Sequence, residues 1–218
     1  MYLPPHANRW YLLAFWLAVL TIVYNLLEGL ISVWFGLADE SLTLFGFGLD
    51  SFIEMISGMG ILAMVLRIWR HPGAPKGRFE KTALQITGTG FYGLVVILSL
   101  MAIYNLATQH KPETTLAGVI IAIISISLMW ALIHYKTQAG MALGSEAILA
   151  DAKCARVCMY MSGLLLASSL IYAVSGIWFV DSLGALGLAY LSFTEGREAF
   201  AKANGAECSC HVEGTSHV

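Results

Sequence analysis

The chain has 218 residues, of which 58% are hydrophobic and only 12% are charged, and its mean hydropathy is +0.72. These values exclude an ordinary soluble domain, and the net charge of −2 leaves no basic surface for nucleic acid. Because of this apolar composition, the protein is predicted to lie in a lipid bilayer. Its length allows one compact membrane domain.

Six apolar segments follow one another, each near or above the ~20 residues that a helix needs to cross the hydrocarbon core. Because backbone hydrogen bonds must be satisfied internally in lipid, each segment is predicted to be a helix. The predicted spans are 10–35, 43–68, 84–106, 116–134, 143–174 and 180–200. The predicted fold class is all-α, a polytopic bundle of six transmembrane helices over residues 1–200, with a short tail over 201–218.

Basic residues are concentrated on one side of this topology. Nine of the twelve Lys and Arg residues lie on one side: before helix 1, at the end of helix 6, and around the connection between helices 2 and 3 and the connection between helices 4 and 5. Lys136 is predicted to lie in the connection between helices 4 and 5. The opposite side has Lys111 alone. The positive-inside rule therefore predicts cytoplasmic N- and C-termini in a cell membrane, either a plasma membrane or an inner membrane.

Helix 2 contains two of the ionisable residues that lie within spans, where such residues indicate function. In GLDSFIEMISG, Asp50 and Glu54 are four residues apart and so lie one turn apart on one face, which Ser57 extends. Two like charges this close repel each other unless a cation joins them. The alternative is a polar seam that shares protons and water.

Helix 5 repeats this spacing in ADAKCARVC, where Cys154 and Cys158 are i, i+4. Asp151 lies on the same side and, like Ser57 on helix 2, is a candidate accessory ligand. Facing helices 2 and 5 would supply two oxygen and two sulfur ligands. This set suits tetrahedral Zn²⁺ and, because thiolates favour softer ions, Cd²⁺. The alternative is that the cysteines pack as small buried side chains. Lys153 and Arg156 point the other way.

Helix 1 carries one further ionisable residue within its span. Glu28 lies three residues after Asn25, and the two form a polar stripe on an otherwise apolar helix. Glu28 is predicted either to pair with Arg156 in a structural role, or to line the ion route or add a further ligand.

The tail that follows helix 6 reads AECSCHVEGTSHV. Its Cys208, Cys210 and His211 form a Cys-x-Cys-His cluster, with His217 nearby, and donors this close can chelate a soft ion through a flexible loop. A disordered end without metal is the alternative. A reducing cytoplasm would keep all four cysteines of the chain as thiols.

Together these motifs resemble the cation diffusion facilitators, proton-coupled metal exporters with six transmembrane helices. GLADESLTLFGFGLDSFIEMISG is similar to the family's helix 2, with Asp50 and Glu54 at its ligand positions. SEAILADAKCARVC is similar to its helix 5, with Cys154 at the His position and Cys158 at the Asp position. GIWFVDSLGALGLAYLSFTEG is similar to its sixth helix, with Asp181 at the extracellular start.

The resemblance implies a member that has only the transmembrane domain, forms a homodimer and exchanges a divalent cation for protons. The implied function is export of Zn²⁺ or Cd²⁺ from the cytoplasm, with the metal ion as cargo, no prosthetic group and no enzymatic activity. The residues leave two alternatives: a metal-binding sensor or scaffold of the same fold that does not transport, and a membrane thiol oxidoreductase. The i, i+4 spacing places the two cysteines of helix 5 poorly for an intrahelical disulfide.

Overall fold

The computed structural model describes residues 5–38, 41–70, 78–109 and 116–204. Its helices are α1 Pro5–Ala38, α2 Leu42–Arg70, α3 Arg78–Thr108, α4 Leu116–Leu143, α5 Glu146–Ser175 and α6 Val180–Ala203. No strand occurs in these ranges, so the predicted all-α bundle of six helices is confirmed. The predicted tail cluster of Cys208, Cys210 and His211 lies outside the described residues.

The helices extend beyond the hydropathy segments at several ends. The largest difference is in α4, for which the sequence predicts an end at His134, whereas the helix continues to Leu143. The prediction that Lys136 lies in a connection is therefore wrong, because Lys136 is inside α4 and only 4% exposed. The helix can bury this charge because a carboxylate on α5 pairs with it, as described below.

Five of the helices are long and apolar enough to cross a membrane: Arg9–Ala38, Leu42–Arg70, Lys81–Thr108, Leu116–Leu143 and Asp151–Ser175. α6 is less apolar because it contains Asp181, Glu195, Arg197, Glu198 and Lys202. It nevertheless runs along the depth of the bundle. Near its start, a Cβ on Gly184 would contact Ser168 of α5. Near its end, Phe200 approaches Gly88 of α3.

Consecutive helices are antiparallel. A Cβ on Gly36, late in α1, would lie 2.5 Å from the backbone nitrogen of Phe45, early in α2, and Gly29 in turn approaches Phe52. Both ends of the described chain and the α2–α3 and α4–α5 connections therefore lie at one end of the bundle, called here the terminal end. α2 is central and contacts α1, α3, α5 and α6.

The opposite end holds the largest apolar cluster. It consists of Leu42, Leu44, Phe47, Leu94, Leu98, Ala102, Ala122, Met161, Leu165, Ala185, Leu188 and Ala189. Most of these residues come from the first halves of α2 and α6 and the second halves of α3 and α5. Close packing in this half leaves the polar groups of the bundle at mid-depth and toward the terminal end.

Asp181 joins the start of α6 to the start of α2 at this opposite end. Its carboxylate accepts hydrogen bonds from the Leu42 backbone N–H at 2.7 Å, the Ser41 hydroxyl at 2.8 Å and the Thr43 backbone N–H at 3.2 Å. The first N–H groups of a helix have no partner within the helix, and a negative charge at this end is favourable. Asp181 therefore caps α2 across the helix interface.

Candidate metal site

The predicted ligands on α2 and α5 lie at mid-depth in the bundle. Glu54 is twelve residues from the start of α2, which corresponds to about 18 Å at the rise of an α-helix. Cys158 is also twelve residues from the start of α5, which runs in the opposite direction. Asp50 lies one turn from Glu54 on the side away from the terminal end and is 2% exposed.

A hydrogen bond between Glu54 and Cys158 connects the two helices, with the Cys158 thiol donating to the Glu54 carboxylate. The same carboxylate accepts a hydrogen bond from Asn25 Nδ2 of α1 at 3.3 Å between Nδ2 and Oε2. One predicted ligand from each helix is thus in contact with the other. Asn25, which the sequence places only on a polar stripe with Glu28, also lies at this point.

Two buried oxygens near this contact lack a hydrogen-bond partner within the described part of the chain. They are Oδ1 of Asp50 and Oδ1 of Asn25, in side chains that are 2% and 1% exposed. A buried polar group without a partner costs about 1–3 kcal/mol. A cation bound between α2 and α5 is the kind of group that would satisfy such acceptors.

The complete four-ligand cage predicted from the sequence is not present in the described residues. Among them, no three His, Cys, Asp or Glu side chains are close enough together to hold a metal ion. Asp50 is one turn away from the Glu54–Cys158 contact, and the side chain of Cys154 lies outside the described part. Of the predicted ligands, the described residues show Glu54 and Cys158 in contact, and the four-ligand site stays a prediction.

A cavity of about 80 Å³ extends from the Glu54–Cys158 pair toward the terminal end. Ser57, which the sequence places on the face of Glu54, lines it one turn further along α2. Asp50 does not line it. This volume suffices for several water molecules. The mid-depth pair is therefore approached from the terminal end in this conformation.

Asp151, predicted as an accessory ligand, lines this cavity as one partner of an ion pair. Its Oδ2 lies 3.0 Å from Nζ of Lys136, and the two side chains are 13% and 5% exposed. The partners belong to α5 and α4, so the pair closes that interface beside the cavity. Lys153 and Arg156, predicted to point away from the ligand face, are exposed.

Glu28 is held by short-range polar contacts on the inner side of α1. The Tyr24 hydroxyl donates a hydrogen bond to one carboxylate oxygen, and the Ser51 hydroxyl of α2 donates to the other at 3.0 Å. The predicted pair with Arg156 is wrong, because Glu28 is 5% exposed between helices while Arg156 lies on the surface. Both Glu28 oxygens have donors, which indicates a role in joining α1 to α2.

Glu195 of α6 is a cavity residue that the sequence-based predictions do not include. It lies near the end of the predicted sixth span, in LSFTEGREAF, where charges are expected at a membrane surface. A signal is nevertheless present: Ser192, Glu195, Ala199 and Lys202 recur at the spacing of one helix face. That face points into the bundle, where all four residues are buried or partly buried.

An all-helical membrane bundle with ionisable residues at mid-depth and a polar cavity leading to them has the architecture of a membrane transporter. The chain belongs to the cation efflux family, since residues 18–204 match the cation efflux transmembrane domain. It is also similar to Transmembrane protein 163 of Xenopus laevis, with 28% identity over 198 residues, 88% of this chain and 68% of that protein. The resemblance drawn from the sequence is confirmed. The chain is an integral membrane protein of a metal cation transport family and not a classical enzyme.

Proposed function

We propose that this protein exports a divalent heavy-metal cation, Zn²⁺ or Cd²⁺, from the cytoplasm in exchange for protons. The cation binds between α2 and α5, with Asp50, Glu54, Cys154 and Cys158 as ligands. The observation that carries the proposal is the contact between Glu54 and Cys158 at mid-depth, at the inner end of the cavity. Family membership supports cation transport, and this contact supports the site.

The chemistry of this contact supports coupling to protons. The Cys158 thiol carries a proton and donates a hydrogen bond to the Glu54 carboxylate. Thiol and carboxylate ligands bind a metal ion only in their deprotonated forms, so metal binding at this pair releases protons. Protons arriving from the other side of the membrane reverse this exchange and displace the cation. Two further oxygen acceptors lie near this pair: Oδ1 of Asp50 and Oδ1 of Asn25, which have no hydrogen-bond partner in the described part of the chain.

The ligand types support the proposed cargo. A carboxylate–thiolate set binds Zn²⁺ in tetrahedral geometry, and the sulfur ligands shift preference toward softer ions such as Cd²⁺. Replacing the two cysteines by oxygen ligands is therefore expected to weaken Cd²⁺ binding more than Zn²⁺ binding.

The route follows from the shape of the bundle. The cavity leads from the ligand pair to the terminal end, which we assign to the cytoplasm because basic residues flank it. Release on the far side requires the apolar cluster and the hydrogen bonds of Asp181 to open, by rocking of one group of helices against the other. The protein acts in a cell membrane, as a homodimer.

The test is Zn²⁺ and Cd²⁺ flux into proteoliposomes that hold an imposed pH gradient. Wild-type flux that depends on the gradient, and its loss in Glu54→Gln and in Cys154→Ser/Cys158→Ser, would support the proposal. Cys208→Ser/Cys210→Ser is measured beside them, to separate any contribution of the predicted tail cluster from that of the helix 5 cysteines.

Other outcomes identify the alternatives. Flux that persists when the pH gradient is collapsed would contradict proton coupling. Stoichiometric metal binding without flux would indicate a sensor or scaffold of the same fold. If the protein shows neither metal flux nor metal binding, the thiol oxidoreductase is again the alternative to test.

A further inference from the structure

We propose that Glu195 and Thr87 form a second, shallower binding station for the transported cation, between the Glu54–Cys158 pair and the terminal end. The inference rests on the proposed function, because the station serves the same cation on its way to the deeper ligands. Glu195 supplies a carboxylate from α6, and Thr87 supplies a hydroxyl oxygen from α3. Both line the cavity that leads to Glu54.

Glu195 differs from the other charged residues of this cavity. Lys136 is paired with Asp151 at 3.0 Å, and Lys202 is paired with Glu198 at 2.8 Å. Within the described residues, the Glu195 carboxylate makes neither a hydrogen bond nor a close ion pair. It is therefore available to a ligand inside the cavity.

Thr87 provides an independent observation at the same level of the bundle. Its side chain is 2% exposed, and its Oγ1 has no hydrogen-bond partner in the described part of the chain. The next residue, Gly88, lies at the closest approach of α3 and α6: a Cβ there would be 3.3 Å from the carbonyl oxygen of Gly196. The orphan hydroxyl of α3 and the carboxylate of α6 thus flank one section of the cavity.

The carboxylates around this station favour a bound cation. Asp50 and Glu54 both lie close enough to Glu195 for their charges to interact. Carboxylates and hydroxyls are suitable ligands for a cation that keeps part of its water shell. The cavity is lined by three carboxylates and by two lysines, Lys136 and Lys202, and this excess of negative charge raises the local cation concentration. A cation held here relieves the repulsion among Asp50, Glu54 and Glu195 before it moves to the deeper pair.

The experiment measures Zn²⁺ flux in proteoliposomes as a function of Zn²⁺ concentration. For Glu195→Gln we expect the half-saturating concentration to rise about tenfold, because one favourable charge is lost from a partly wet cavity. The maximal rate stays within about twofold, because the deeper ligands are intact. Glu195→Asp keeps the charge and gives a value between the two, and Thr87→Val gives a smaller rise.

Thr89→Val is the matched control for Thr87→Val, because it removes the same hydroxyl from the same helix at an exposed position outside the station, where Oγ1 donates to the Gln85 carbonyl. Its half-saturating concentration should equal that of the wild type. Four results would overturn the inference while the proposed function stands, because wild-type flux is present in each: no rise in Glu195→Gln, a rise in Thr89→Val as large as that in Thr87→Val, a loss of maximal rate alone in Glu195→Gln, or an unchanged value in Thr87→Val. Absence of both Zn²⁺ and Cd²⁺ flux in the wild type would overturn the proposed function and this inference together; if only Cd²⁺ is transported, the same titration is made with Cd²⁺. If Glu195→Gln does not fold, Glu195→Asp and Thr87→Val decide.

Discussion

Lys136 Nζ of α4 lies 3.0 Å from Asp151 Oδ2 of α5, and the two side chains are 5% and 13% exposed. The pair lines the cavity, and the Asp151 carboxylate compensates the positive charge of Lys136, which would otherwise lie without a counter-charge among apolar helices. The ion pair is therefore expected to contribute to stability, since a buried charge is tolerated only with its partner.

Asp151→Asn is therefore expected to destabilise the protein by about 3 kcal/mol, because it leaves the Lys136 ammonium buried without a counter-charge. Thermal unfolding in detergent measures the change. The double variant Lys136→Met/Asp151→Leu replaces both charges by apolar groups and should recover most of the loss. An Asp151→Asn protein as stable as the wild type would show that cavity water alone solvates Lys136.

Asp181→Ala should destabilise the opposite end of the bundle by about 2–3 kcal/mol, because it removes the acceptors of three hydrogen bonds at the start of α2. Ser127→Ala is the comparison, since its hydroxyl is exposed and bonds within its own helix, to the Ile123 carbonyl. Chemical unfolding in mixed micelles measures both variants. Equal effects would contradict the capping role of Asp181.

Tyr24→Phe removes the hydroxyl that donates to buried Glu28 and is expected to cost about 1–2 kcal/mol. Arg156→Ala, at the surface position that the sequence alone pairs with Glu28, should change the free energy of unfolding by less than about 0.5 kcal/mol. Parallel unfolding measurements of the two variants decide between the partners. A larger effect in Arg156→Ala than in Tyr24→Phe would favour the partner predicted from the sequence.

Gly48→Ala should disturb the packing of α1 against α2, because the added Cβ would lie 2.7 Å from the backbone nitrogen of Val33 and 2.8 Å from its Cγ2. Overpacking of this kind costs about 1–3 kcal/mol. Gly93→Ala is the matched control, since nothing lies within 4 Å of its Cβ position. Yield of folded protein and unfolding temperature should fall for Gly48→Ala only. Equal behaviour of the two variants would show that α1 and α2 can separate without loss.

The apolar composition and the six hydrophobic segments were enough to predict an all-helical membrane protein, and the motifs on helices 2, 5 and 6 were enough to identify the family. Helix formation follows from apolar length, because a segment in lipid must satisfy its own backbone hydrogen bonds. The sequence also placed Asp50 with Glu54 and Cys154 with Cys158, since spacing within one helix decides which side chains share a face. These predictions needed no knowledge of neighbouring helices.

The folded structure was needed to show which other helix covers each of those faces. It brought Cys158 to Glu54, Asp151 to Lys136 and the hydroxyl of Ser51 to Glu28. These partners lie on different helices, and the spacing along one helix carries no information about which helix packs beside it. For the same reason, only the packing of α6 against α3 showed that Glu195, near the end of its helix, lies in the cavity that leads to the ligand pair.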